Sequence, residues 1–210
     1  LGTPDIIDDL ALLGLLDDKV VVGSLNRGGL QGASFEFDDR QTAYSVDAIA
    51  DAGLDFAKLL LRVAYQDAGT ANTLEWAAGA VTRAAERQLP IMVEPFISTH
   101  DGTRAHNDLT PEAVIKSIAI ASGLGASSAY TWLKLPVVDD MERVMEATTL
   151  PTLLLGGDPP SVTDEVHQRW NDALTLPGVR GLVVGRTLLY PENDDVAAAV
   201  ATAARAVHGQ

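Results

Sequence analysis

The sequence contains no cysteine, which excludes disulfide bonds, thiolate metal sites and cysteine nucleophiles. It also lacks any apolar run near the ~20 residues that a transmembrane helix needs. The longest such run close to the start, residues 6–16, is interrupted by Asp8 and Asp9. The first residues show neither the basic flank nor the cleavage-like site of a signal peptide. We therefore expect a cytoplasmic protein without a membrane-spanning segment.

Basic residues are scarce, with 15 lysines and arginines against 29 aspartates and glutamates and a formal net charge of −14. This balance argues against nucleic acids and anionic membranes as partners. Only four lysines occur, Lys19, Lys58, Lys116 and Lys134. Two of them, Lys58 and Lys134, lie inside apolar runs, although lysine is almost never fully buried without a partner for its charge. These two lysines are the first candidates for chemistry.

Apolar runs typical of buried strands alternate with helical segments along the whole chain. Six runs qualify, at residues 20–25, 54–63, 89–96, 130–138, 150–157 and 181–186. Their near-continuous hydrophobicity predicts parallel strands that are covered on both faces, and the alternation predicts an α/β fold. A doubly wound sheet and a (β/α)₈ TIM barrel both fit. Ionisable residues inside the strands, and glycines at the ends of the last two, favour the barrel.

A barrel of this kind has eight strands, whereas the sequence shows six strands behind a leading helix. We expect the sequence to begin after the second strand, so that the first strand, the first helix and the second strand are absent. No low-complexity linker marks a second domain, and we expect residues 1–210 to form one barrel domain that is incomplete at its N-terminus.

Glu94 is a third ionisable residue inside an apolar run, beside Lys58 and Lys134. Burial and a nearby second cation both disfavour the charged form of a lysine, which frees its amine for attack on a carbonyl. A buried glutamate can carry protons between substrate and water. The alternative is a structural ion pair between neighbouring strands. Three such residues in otherwise apolar strands favour a catalytic site.

Two glycine-containing strand ends form a second candidate site. Gly156 and Gly157 end one strand, and Gly185 with Arg186 ends the next. Glycines let backbone N–H groups approach a phosphate, a following short helix would add its positive end, and arginine can add a charge-assisted contact. Turns also require glycine for conformational reasons, so a glycine pair alone is weak evidence.

The segments that carry these residues resemble one known family. They are FAKLLL (56–61), MVEPF (92–96), LKLPV (133–137) and VGRT (184–187). In order and spacing they resemble the class I, Schiff-base aldolases, closest to the tagatose-bisphosphate aldolase group. That group has deoxyribose-phosphate aldolase and the archaeal-type fructose-bisphosphate aldolases as relatives. The resemblance implies a (β/α)₈ barrel in which a lysine forms an imine with a phosphorylated ketose.

Carried over position by position, the resemblance implies that Lys134 is the nucleophile, with Lys58 and Glu94 as its catalytic partners. It assigns phosphate binding to Gly156, Gly157, Gly185 and Arg186. Arg62 departs from the pattern, because tagatose-type enzymes carry an aromatic residue there, and Arg27 lies in a loop after the first strand of the sequence. We expect both arginines to bind substrate, as would suit a second anion, a phosphate or a carboxylate.

The hypothesis is a metal-independent aldolase that uses no cofactor, acts on a phosphorylated ketose or keto-sugar acid and releases dihydroxyacetone phosphate. We also expect a homo-oligomer. His100, His106 and His167 lack metal-ligand spacing, so a zinc-dependent mechanism is not predicted. Two alternatives are a deoxyribose-phosphate-type aldolase, which uses acetaldehyde as donor, and a non-catalytic barrel that binds a sugar phosphate.

Overall fold

Six parallel strands, hydrogen-bonded in the order in which they occur along the chain, form the frame of the molecule. A computed structural model describes residues 1–28, 30, 32–156, 164–191 and 193–209. The strands are β1 Val22–Ser24, β2 Phe56–Val63, β3 Ile91–His100, β4 Ala105–Asn107, β5 Thr131–Pro136, β6 Thr152–Leu155 and β7 Val179–Val183. The helices are α1 Pro4–Leu12, α2 Val46–Asp51, α3 Gly69–Glu86, α4 Pro111–Ser122, α5 Met141–Glu146, α6 Asp164–Leu174, α7 Arg186–Leu189 and α8 Val196–His208.

The strand order β1-β2-β3-β5-β6-β7 is that of successive strands in a (β/α) barrel. The sheet curls into an open half-barrel with helices between its strands. This confirms the predicted α/β barrel architecture. At the β1 edge, Gly2 adds a parallel bridge to Gly23.

Alternation along the strands separates a packed outer face from a polar inner face. On β2 the side chains of Leu59 and Leu61 are fully buried in the apolar core, together with Val93 of β3 and Leu133 of β5. Because successive strand residues point to opposite faces, their neighbours in sequence point to the concave side. The core thus fixes which residues can line a site.

Side-chain hydrogen bonds cap the start of two helices. Thr110 accepts a hydrogen bond from the N–H of Ala113 at the start of α4, and Pro111 occupies the first helical position. Ser45 accepts one from Ala48 at the start of α2. Residues 39–44 precede α2 and lie beside β1, where the N–H groups of Thr42 and Ala43 donate to the Leu25 carbonyl.

The third strand extends beyond its apolar run, which ends at residue 96. β3 continues to His100, turns through residues 101–104, and pairs with β4 in antiparallel fashion, with Ser98 opposite Asn107. The polar residues at the end of β3 concealed the strand, although Asp101-Gly102 is a turn dipeptide of the kind found in hairpins. No helix in the described part of the chain is both long enough and apolar enough to cross a membrane.

Candidate active site

A cleft of ≈ 1710 Å³ opens on the concave face of the half-barrel. Inward-facing residues of neighbouring strands line it: Lys58 and Arg62 of β2, Glu94 of β3, Lys134 of β5 and Leu153 of β6. Each of these side chains alternates with an apolar residue that packs into the core, so the strand period itself places them in the cleft.

Lys58, Glu94 and Lys134 form one ion-paired cluster, called here the floor triad. Lys134 Nζ donates to Glu94 Oε1 at 2.9 Å, and Lys58 Nζ lies 2.6 Å from Glu94 Oε2. One carboxylate thus bridges two ammonium groups. The three residues that the sequence analysis singled out are therefore in direct contact. Their catalytic roles stay predictions.

Strand register explains why the triad forms. Lys134 and Glu94 each follow a residue of the Val93–Leu133 pair, so they lie side by side on β5 and β3. Glu94 is opposite Leu60, which places Lys58 two residues toward the start of β2. The long lysine side chain covers that offset. Below the triad, the rings of Phe56 and Trp132 pack edge to face at 5.4 Å.

Burial controls the electrostatics of the triad. All three residues are at most 9% exposed. Burial lowers the pKa of Lys134; the Glu94 carboxylate opposes this effect, and the charges of Lys58 and Arg186 reinforce it, so the pKa lies below the usual value. Burial raises the pKa of Glu94, but the two lysines outweigh it and hold that pKa below its usual value.

A second charged cluster, called here the mouth network, lies at the β1–β2 side of the cleft. Arg27 donates to Glu36 at 2.6 Å and to Asp39 at 3.1 Å. Arg62 pairs with the same Glu36 and donates through Nε to Asn107 at 3.2 Å. The two arginines line the cleft, and substrate binding by them stays a prediction. They are held by carboxylates.

Buried hydrogen bonds join the mouth to β2. The Asn26 side chain donates to the Leu60 carbonyl at 2.8 Å and accepts from the Leu60 N–H at 2.9 Å, so it continues the sheet in place of a backbone residue. The hairpin of β3 and β4 covers the same side, where Asn107 also accepts from Ser98 at 2.9 Å. Leu60 lies between Lys58 and Arg62 on β2, so Asn26 bonds the backbone between the two clusters.

The residues predicted to bind phosphate lie on the side of the cleft opposite the mouth network. Gly156, Gly185 and Arg186 all line it, and Gly157 lies outside the described residues. A Cβ atom at Gly156 would approach Val184 Cγ1 to 2.5 Å, so strand packing by itself requires glycine there. Gly185 precedes the short helix α7. Phosphate binding at this end stays a prediction.

Sequence reasoning missed Glu36 and Asn107. Neither residue belongs to an apolar run, and the contacts that make them important join segments far apart in the chain. One signal was present: the stretch 35–40 combines three acids and an arginine with two phenylalanines, which flank Glu36. Acidic residues beside large apolar ones indicate partly buried carboxylates, which require cationic partners.

Comparison with protein families gives one match over almost the whole chain. The sequence model described as Cgl0159-like matches residues 1–204. The crystal structure of Cgl0159 from Corynebacterium glutamicum is 65% identical, with a TM-score of 0.96, and the match covers 99% of this chain and 70% of that one.

More distant relatives are named as aldolases. An uncharacterized aldolase of Saccharolobus solfataricus is 27% identical over 157 residues, or 72% of this chain. The chain spans 55% of the length of that relative. An archaeal fructose 1,6-bisphosphate aldolase gives a TM-score of 0.73 at 17% identity, covering 96% of this chain and 76% of that one. A Schiff-base-forming fructose-1,6-bisphosphate aldolase gives 0.71 at 20%, covering 95% and 76%. At these identities the structural matches establish the fold.

Proposed function

This chain belongs to the Cgl0159-like family, and we propose that it is a class I aldolase that acts through a Schiff base on Lys134. The observation that carries the proposal is the floor triad: one buried glutamate held between two buried lysines in a cleft. A purely structural ion pair needs one lysine for one carboxylate. The second lysine leaves the triad with a net positive charge, which favours release of a proton from one amine.

Lys134 is the better candidate for the nucleophile. Its pKa is lowered, with burial as the largest cause and the neighbouring cations Lys58 and Arg186 acting in the same direction. A lysine must be uncharged to attack a carbonyl, so a lowered pKa increases the reactive fraction near neutral pH. Lys134 also lies on β5, between the mouth network and the predicted phosphate end.

The proposed reaction begins when the uncharged Lys134 amine bonds to the ketone carbon. The carbonyl electron pair moves to oxygen, which takes a proton, and loss of water from the carbinolamine gives an iminium ion. Glu94, within hydrogen-bond distance of both lysines, carries protons for these steps. Lys58 holds a substrate oxygen and keeps a positive charge beside Lys134.

Carbon–carbon cleavage follows from the iminium ion. A base, for which Glu94 is placed, removes the proton of the substrate hydroxyl, that oxygen forms the aldehyde, and the electron pair of the broken bond moves into the iminium to give an enamine. Protonation and hydrolysis of the enamine release the ketone and restore the amine. For a phosphorylated ketose or keto-sugar acid, the ketone is dihydroxyacetone phosphate.

The position of the predicted phosphate-binding residues suits a substrate whose ketone faces Lys134. Gly156, Gly185 and Arg186 lie past the strands that follow β5, so a phosphate there would point the ketone toward Lys134. Two of the more distant structural matches are fructose-bisphosphate aldolases in name, and a particular closeness to the tagatose-bisphosphate group stays a prediction. We further propose that the protein works as a cytoplasmic homo-oligomer without cofactor or nucleic acid, in keeping with its net charge of −14.

Borohydride trapping tests the mechanism. Reduction in the presence of dihydroxyacetone phosphate should add the mass of the reduced adduct to the peptide that carries Lys134. Lys134→Ala should abolish the adduct, whereas Lys116→Ala should keep it, because Lys116 is exposed and packs on Tyr65 outside the cleft. The chain has only four lysines, so peptide mapping assigns the site without ambiguity.

The alternatives give different results in the same assay. An adduct with acetaldehyde but none with dihydroxyacetone phosphate would identify a deoxyribose-phosphate-type enzyme. A rise in melting temperature with dihydroxyacetone phosphate, but no adduct and no turnover, would identify a non-catalytic sugar-phosphate-binding protein. An adduct that persists in Lys134→Ala would contradict the assignment of the nucleophile.

A further inference from the structure

The mouth network contains as much negative as positive charge. Two guanidinium groups, Arg27 and Arg62, face two carboxylates, Glu36 and Asp39. Glu36 is the carboxylate that lines the cleft, and it pairs with both arginines. Asp39 is 1% exposed and lies behind Arg27. The arginines are therefore neutralised before any substrate arrives.

Glu36 carries its charge in spite of burial. Burial raises its pKa, but the hydrogen bonds and charges of Arg27 and Arg62 outweigh burial, so its pKa is below the usual value. A carboxylate that cannot take up a proton near neutral pH repels any anion that enters beside it. Among the cleft-lining residues that the structure describes, Glu36 and Glu94 are the only acids.

Arg62 still has a hydrogen-bonding edge to offer. Its Nη1 pairs with Glu36 and its Nε donates to Asn107, while Nη2 has no hydrogen-bond partner within the described part of the chain. Such an edge suits a hydroxyl, an aldehyde oxygen or one carboxylate oxygen. A phosphate dianion would need more positive charge than the network leaves.

Strand geometry places this edge at the end of the cleft remote from the predicted phosphate end. Arg62 follows Lys58 by four residues on β2, or about 13 Å, and lies opposite Phe96, two residues past Glu94. Gly156 and Arg186 follow β6 and β7 on the other side of Lys134. A ketose phosphate held at that other side would extend its non-phosphorylated carbons toward Arg62.

We propose that Glu36 is a specificity-determining residue that excludes a second phosphate, so that the substrates are sugar monophosphates whose far end carries hydroxyl, aldehyde or single carboxylate groups. The proposal rests on the proposed aldolase function. The sequence analysis expected the arginines to bind a second anion, either a phosphate or a carboxylate. The proposal removes the phosphate from that expectation, because the Glu36 carboxylate repels a dianion more strongly than a group of single or no charge.

The test is condensation of dihydroxyacetone phosphate with two acceptors that differ by one phosphate, racemic glyceraldehyde and racemic glyceraldehyde 3-phosphate. The wild-type protein should prefer glyceraldehyde in kcat/KM. Glu36→Gln should shift the ratio toward the phosphorylated acceptor by about tenfold or more. Glu86→Gln, which removes an equal charge from an arginine-paired but exposed surface carboxylate, should leave the ratio unchanged.

Comparing two acceptors in one preparation makes the result independent of how much protein is folded. Arg62→Met removes a cation and keeps Glu36, so it should shift the kcat/KM ratio further toward the unphosphorylated acceptor. This variant provides the test if Glu36→Gln does not fold. Borohydride trapping with dihydroxyacetone phosphate alone separates the two proposals. An adduct combined with an unaltered acceptor ratio, or with wild-type preference for the phosphorylated acceptor, overturns this inference alone. Absence of the adduct overturns both.

Discussion

The floor triad and the mouth network are built alike, yet their chemistry differs. In each, one buried carboxylate binds two cations: Glu94 binds two lysines, and Glu36 binds two arginines. A lysine can lose its proton when buried, whereas an arginine keeps its charge in proteins. The floor can therefore supply a nucleophile, and the mouth can supply only fixed charge and hydrogen bonds.

The two clusters also differ in their charge balance. The mouth contains a second carboxylate, Asp39, whereas the floor triad holds two lysines against one glutamate. Burial raises the pKa of Asp39 more than Arg27 lowers it. A surplus of cations at the floor favours an uncharged amine, and a balance at the mouth favours recognition of uncharged groups. Residue type and count, more than burial, distinguish the proposed catalytic cluster from the proposed recognition cluster.

The largest effect is expected from making the floor resemble the mouth. Lys134→Arg keeps a cation beside Glu94 but removes the nucleophile, so turnover should fall by roughly 10³-fold or more, and the borohydride adduct should disappear. The reciprocal change at the mouth, Arg62→Lys, should cost far less, since it alters hydrogen bonding alone. Steady-state kinetics of both variants measure the contrast. Comparable losses of turnover in Lys134→Arg and Arg62→Lys would contradict the assignment of the nucleophile to the floor triad and of substrate recognition to the mouth network.

The carboxylates provide the next contrast, in stability. Glu94→Gln leaves two buried lysines without a counter-charge, which should lower the free energy of unfolding by about 3–5 kcal/mol near pH 7. In the variant the pKa of Lys134 should fall further below its usual value, because Glu94 is the group that raises it. The unfolded state then binds more protons, so part of the loss should be regained as the pH rises toward the lysine pKa of unfolded chains.

Glu36→Gln serves as the matched case at the mouth. Its arginines cannot lose their protons, and Arg27 keeps Asp39 while Arg62 keeps Asn107. Its stability loss should therefore be smaller and should not change between pH 7 and pH 10. Urea denaturation of both variants across that range measures the difference. Parallel pH curves for the two would contradict the role assigned to lysine deprotonation.

The smallest effect is expected in the pH dependence of turnover. The charge of Lys58 lowers the pKa of Lys134, so Lys58→Met should raise it and move the rising limb of the pH–rate profile to higher pH. Arg27→Met should leave that limb in place, because Arg27 pairs with the carboxylates of the mouth network and not with the floor triad. Profiles of kcat measured from pH 6 to pH 10 decide the matter. A limb that moves down in Lys58→Met would show that Lys58 does not act by its charge.

Much of the fold was predictable because it is written in local patterns. Continuous apolar runs that alternate with helical segments indicated the parallel strands and their order. The β3–β4 hairpin was not predictable from hydrophobicity, because its strands carry polar residues such as Ser98 and Asn107 whose role is to bond with one another and with Arg62. A prediction from hydrophobicity therefore misses a strand that is stabilised by polar contacts with its partner strand.

Strand periodicity was enough to predict the floor triad: a lysine or glutamate in an apolar strand points to one face of the sheet, and Lys58, Glu94 and Lys134 all point inward. The mouth network depends on the folded chain. Arg27 and Arg62 appeared in the sequence as available cations, and only the folded chain shows that Glu36 binds both of them. The direction of a strand side chain follows from a period of two residues, whereas the pairing of charges between separate segments follows from their positions in space.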